Sequence, residues 1–207
     1  QRKSISPLQV HHFLAICIFF NDDMANSLGL THDEDEWSWE EIARCGLIQY
    51  DQNGKFHFNH QTYAEFLVAL FIFNLLKTVK KLSSTQIDLI IQVMKEHKFQ
   101  VVRMFLNLML AKVEKVQELK SFNSSHKICE KIKSKENFLD RCVNEGLFNI
   151  FEFFSMIIKK NDVELFKETI EYKNENLYKS GTNLMRILPH ATNNAKFENF
   201  LDEIFSF

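Results

Sequence analysis

Apolar and polar residues alternate in two short runs that flank Asp51-Gln52-Asn53-Gly54. A period of two is that of a strand, and Asn-Gly supplies the positive φ of a tight turn. The pattern predicts a hairpin with Ile48, Tyr50, Phe56 and Phe58 on one face. Upstream, Ser6-Pro7-Leu8-Gln9 reads as a helix start, with Ser as N-cap and Pro at the first helical position. A helix is expected from Leu8 to Phe20 and a short one from Asp23 to Leu28, ended by a left-handed Gly29. Ser38 and Glu41 suit a capping box for a helix from Trp39 to Cys45, closed by Gly46. After the hairpin, Thr62 and Glu65 fit a capping box for a densely apolar helix from Phe66 to about Leu76. Tyr63, Phe66, Leu67 and Leu70 are expected in the core.

The pattern beyond Lys77 is helical throughout. Lys77, Lys80 and Lys81 complement the carbonyl end of the apolar helix. Ser83-Ser84-Thr85 caps a helix from about Gln86 to Lys95. Another is expected from Phe99 to Glu118, with Val101, Val102, Phe105, Leu106, Leu108, Met109, Val113 and Val116 as its apolar face. Ser121 to Ser125 reads as a linker. Further helices are expected at Ile128–Lys133, Asn137–Asn144, Leu147–Lys159, Val163–Tyr172, Thr182–Leu188 and Ala195–Phe205. The predicted fold class is mainly all-α: a winged-helix module with a short β-hairpin wing, then an α-helical solenoid-like region. Its predicted divisions are a winged helix over 1–60, a helical domain over 61–122 and a helical repeat region over 123–207.

Composition agrees with a helical reading. Phe occurs 21 times in 207 residues, whereas Gly occurs five times and Pro twice. The net charge of −2 indicates no general attraction to nucleic acid or anionic lipid. Asp33, Glu34, Asp35, Glu36, Glu40 and Glu41 crowd the start of the third predicted helix, where a DNA-recognition helix needs Lys or Arg. No run reaches the roughly 20 apolar residues that span a bilayer. Cys17, Cys45, Cys129 and Cys142 lack CxxC spacing and read as reduced thiols of a cytoplasmic protein. His11 and His12 are adjacent, so they point to different sides of a helix and cannot share a metal as an i, i+4 pair would. No metal site and no catalytic constellation is expected.

The stretch His60-Gln-Thr62-Tyr63-Ala-Glu65-Phe66-Leu67-Val-Ala69 follows the aromatic strand of Phe56 and Phe58. It resembles the end of the winged-helix domain in NACHT-type STAND NTPases, where His-x-Thr-(Phe/Tyr)-x-Glu opens a long helix. Leu8 to Phe20 is similar to the first winged-helix segment of insect-type members. The resemblance covers about residues 8 to 76. It implies that the winged helix packs against an upstream nucleotide-binding domain and that His60 approaches the β-phosphate of bound ADP. Exchange of ADP for ATP would loosen that contact. The residue-level alternative is a histidine that only hydrogen-bonds a loop carbonyl.

No GxxxxGK[ST] occurs, and the five glycines are too scattered to form a phosphate loop. The chain taken alone is therefore expected to be no enzyme and to hold no cofactor. ADP or ATP would belong to the upstream domain. The first residue is Gln rather than Met, as expected for a segment of a longer protein. Cys142 to Phe154 is similar to the helix–Gly–helix half of an ankyrin repeat, without the usual Thr-Pro-Leu-His start. The implied partners are the upstream domain and other proteins through the helical region, with no nucleic acid and no membrane. A free-standing helical protein-interaction scaffold is the other reading.

Overall fold

The computed structural model describes residues 7–30, 46–51, 56–114, 119–121, 128–129, 131, 141–142 and 145–163. The protein is mainly helical with one small antiparallel sheet. The described elements are α1 (Pro7–Phe19), α2 (Asp22–Ser27), β1 (Ile48–Tyr50), β2 (Phe56–Phe58), α3 (Gln61–Thr78), α4 (Ser84–Lys95), a 3₁₀ turn (His97–Phe99), α5 (Gln100–Leu110) and α6 (Phe148–Asn161). The predicted helices at 39–45, 182–188 and 195–205 lie outside the described residues, as do Asn53-Gly54 and Cys45. Of the helices predicted at 128–133 and 137–144, Ile128, Cys129, Lys131, Arg141 and Cys142 are described and helical; of 163–172 only Val163 is described.

Local chemistry sets most of the starts and stops. Pro7 is the first residue of α1, where its missing N–H costs no intrahelical bond. Asn21 caps α2 by accepting from the Met24 N–H at 2.7 Å. Gly29, at φ 74°, ends that helix in the left-handed conformation that a side chain disfavours. Ser83 and Gln86 form a reciprocal capping box at α4. Helix α5 stops at Leu110 rather than continuing to Glu118. Lys112 and Val113 donate back to Met109 and Leu110 in tightened final turns, and Val113 folds against the core.

Helix α3 is the centre of the packing, lying against both α1 and α5, and α5 in turn lies against α6. The hairpin pairs Ile48 with Phe58, Gln49 with His57 and Tyr50 with Phe56. Its inner face rests on α1, where Ile48, Val10 and Leu14 are buried among half-buried Phe13, Phe56 and Phe58. A second, larger core runs from Ala15 through Ile72, Ile90 and Leu106 to Phe154. On α5 the buried positions are Val102, Arg103, Leu106 and Leu110. Leu108, expected on the apolar face, is 61% exposed, because it lies on the side of α5 away from that row.

A buried arginine joins the segment that leads into α6 to α4 and α5. Arg103 is completely buried and donates through Nη1 to the carbonyls of Val93 at 2.8 Å and Glu96 at 2.7 Å. Through Nε and Nη2 it grips both oxygens of Glu145, at 2.8 and 2.6 Å. Arg141 donates to the carbonyl of Lys95. Two guanidinium groups from elsewhere in the chain thus satisfy the Val93 and Lys95 carbonyls in the last turn of α4, while the Glu96 carbonyl also accepts from the Phe99 N–H at 3.2 Å. One turn along α5 from Arg103, the Asn107 side-chain oxygen accepts from the N–H groups of Asn149 and Ile150, at 2.9 and 3.2 Å. Helix α6 has no capping side chain of its own, so its N-cap is supplied from another helix. Ser121, expected to open a linker, is instead buried and donates to the Leu76 carbonyl at 2.9 Å.

Candidate functional site

The site begins where the hairpin hands the chain to α3. Asn59 fastens that junction: its backbone N–H donates to Leu47 at 2.9 Å and its side-chain amide to the Gly46 carbonyl at 2.6 Å. His60 follows in an extended conformation and is the N-cap of α3. Its Nδ1 accepts from the Thr62 N–H at 3.1 Å. A neutral imidazole that accepts at Nδ1 carries its proton on Nε2. His60 is exposed, so this arrangement leaves a donor at the positive end of an 18-residue helix dipole. The edge of the Tyr63 ring approaches the imidazole, with centroids 6.5 Å apart.

The predicted capping box is replaced by this histidine cap. Gln61 already has helical geometry, so Thr62 lies inside the first turn and has no open N–H to cap. Glu65 does not reach back to the helix start. It is 5% exposed and accepts from Gln61 Nε2 at 3.0 Å. Two of the four residues assigned to the core also differ. Leu67 is buried and Leu70 half-buried, but Tyr63 is 44% and Phe66 40% exposed. They lie on the side of α3 opposite Ala64, Val68 and Ile72.

That outward side borders a half-open cleft of about 510 Å³ between α3 and α5. Phe66, Leu70, Phe73 and Met109 form its apolar floor, with Lys77 and Lys112 among the polar groups at its edge. Sequence reading did not single out this cleft. The signal was present as Tyr63, Phe66, Leu70, Phe73 and Lys77, spaced alternately three and four apart.

His12, Cys17, Cys129 and Cys142 are held in inert settings. His12 is buried against Phe71, ring centroids 5.5 Å apart, and its Nε2 has no hydrogen-bond partner. Burial, assisted by the neighbouring His11, lowers its pKa to about 4, so it is a neutral core residue. Burial pushes the Cys17 thiol up to about 12, reinforced by its hydrogen bond to Asp22 and by that carboxylate's charge. Cys129 and Cys142 are buried and form no disulfide. Among the described residues no group of His, Cys, Asp and Glu could hold a metal ion, and no helix is long and apolar enough to cross a membrane.

Comparison with family models, with curated proteins and with solved structures finds no match for this chain.

Proposed function

We propose that this chain is a non-catalytic regulatory segment of a NACHT-like signalling NTPase. In this reading residues 1–60 form a winged helix and the remainder a helical, solenoid-like region with ankyrin-like character. The winged helix would hold an upstream, ADP-bound domain closed in a cytoplasmic protein, and the helical region would engage other proteins. His60 would donate to a phosphate of that ADP.

One observation carries the reading. Because Nδ1 is engaged as the cap, the proton of His60 is kept on an exposed Nε2 beside a helix N-terminus. A fixed donor at the positive end of a helix dipole favours an anion. Replacement of ADP by ATP would change the geometry of that contact and release the winged helix.

The test is nucleotide exchange in the full-length parent with His60→Ala and His60→Asp. Aspartate retains a capping oxygen but presents no donor to a phosphate. Both variants are expected to release ADP faster than wild type, while only the alanine variant loses helix stability. If His60→Asp retains ADP as wild type does, the phosphate role is wrong.

A second reading, a free-standing helical interaction scaffold, is favoured by the exposed aromatic side of α3. A phosphate-loop sequence in the few hundred residues upstream of this segment would decide for the first reading, and its absence for the second.

A further inference from the structure

Helix α3 is apolar all the way round. Its inner side, Ala64, Leu67, Val68, Phe71, Ile72 and Leu75, is buried in the core. Its outer side carries Tyr63, Phe66, Leu70 and Phe73 and ends in Lys77. A helix of that kind is normally enclosed on every side. Here the outer side is only partly covered: α5 supplies Phe105, whose ring meets Phe66 edge-on at 5.4 Å, together with Met109. Between the two helices the apolar floor stays open to solvent.

The shape of the opening indicates what it accepts. From Phe66 to Lys77 the lining stripe is about 16 Å long at 1.5 Å per residue, or roughly three helical turns. Alternating spacings of three and four are those by which one helix seats the side chains of another. An acyl chain is bound best in an enclosed tunnel, whereas this cleft is half-open along its length. Charge gives the second constraint. Among the described residues Lys77 and Lys112 are exposed at the cleft and make no ion pair, and Glu114 is the one carboxylate that lines it.

We propose that the α3–α5 cleft binds an amphipathic helix of a partner protein, its apolar stripe lying along Phe66, Leu70 and Phe73 and its carboxylates over Lys77 and Lys112. The proposal rests on the interaction role assigned above to the helical region and does not involve His60. The partner is thus acidic, at least about 11 residues long and apolar at heptad spacing.

The test is selection of a displayed library of helix-biased 18-residue peptides on the 207-residue chain. Enriched peptides are expected to carry apolar residues at three-four spacing with flanking Asp or Glu. Their affinity is expected to fall at least tenfold against Lys77→Glu/Lys112→Glu. Both lysines are exposed, so the melting temperature of that variant should fall only slightly, through the reversed charge of Lys77 in the last turn of α3, and the variant stays folded. Phe66→Ser is expected to weaken binding as well. No enrichment, enrichment without acidic residues, or binding indifferent to the lysine pair would overturn the proposal. So would oleate binding tightly where no peptide does. The selection contains no nucleotide, so its failure leaves the His60 reading intact, and unaltered nucleotide exchange in the His60 variants leaves this one intact.

Discussion

Two buried nitrogen-bearing side chains sit at two joints of this protein and are treated in opposite ways. At the α4–α5–α6 joint, Arg103 is completely buried, keeps its charge and places four hydrogen bonds on two carbonyls and one carboxylate. At the α1–α3 joint, His12 is almost as deeply buried, stays neutral and leaves Nε2 without a partner. The difference follows from what each base can give up. A guanidinium cannot lose its proton at any ordinary pH, so burial is tolerable only with full pairing. An imidazole escapes the same cost by remaining neutral. One joint is therefore fixed by directional bonds, the other by shape and apolar contact.

The comparison is broken most severely at Arg103. Arg103→Ala strands the Glu145 carboxylate and the Val93 carbonyl, and is expected to cost about 3 kcal/mol or more in chemical denaturation. Arg103→Met with Glu145→Leu removes both charges and should recover most of that loss. If the single and double variants are equally unstable, the pairing is not what holds the joint.

Acid probes the other side. Above pH 6.5 neither the folded nor the unfolded chain binds a proton at His12. Between pH 6.5 and about 4 the unfolded chain binds it and the folded chain does not, so stability falls as pH falls. Below about pH 4 both states bind it and the loss from this residue stops. The full effect is on the order of 3 kcal/mol. His12→Leu should flatten this part of the pH–stability curve, and a slope identical to wild type would refute the assignment.

The mildest lesion is Asn107→Ala, which removes the cap of α6 and should cost about 1 kcal/mol. Asn107→Asp, which keeps an acceptor facing the two N–H groups, should cost less. Amide hydrogen exchange at Asn149 and Ile150 checks it: protection there should fall in the alanine variant before it falls in the middle of α6.

Features decided by a few neighbouring residues were readable from the chain alone. Pro7, Gly29, the Ser83 box and the paired strands around Ile48 and Phe58 all fall where local pattern places them. The errors at α3 have one physical source. With apolar residues on every side, periodicity cannot tell the inner from the outer face, so Tyr63 and Phe66 were expected inside. The start of the same helix was misplaced because two cap signals overlap. The side chain of Glu65, in a Thr62 box, and that of His60 compete for the Thr62 N–H, and the histidine, two residues before Thr62, takes it. Arg103 and Asn107 were illegible for a different reason. Glu145, which Arg103 grips, and Asn149 and Ile150, which Asn107 caps, lie 42 or more residues away, and nothing in the local sequence marks an arginine destined for complete burial.

The cap on α6 also dictates an order of events during folding. Residues 148–161 bring no capping side chain of their own, and a peptide of 14 residues is at the lower limit of length for a helix in water. Its first turn gains a partner only once Asn107 is already in place on α5. Helix α6 is therefore expected to consolidate after α5, on a template presented by a helix that precedes it in synthesis. A ribosome that has released α5 has already made the surface on which α6 will nucleate.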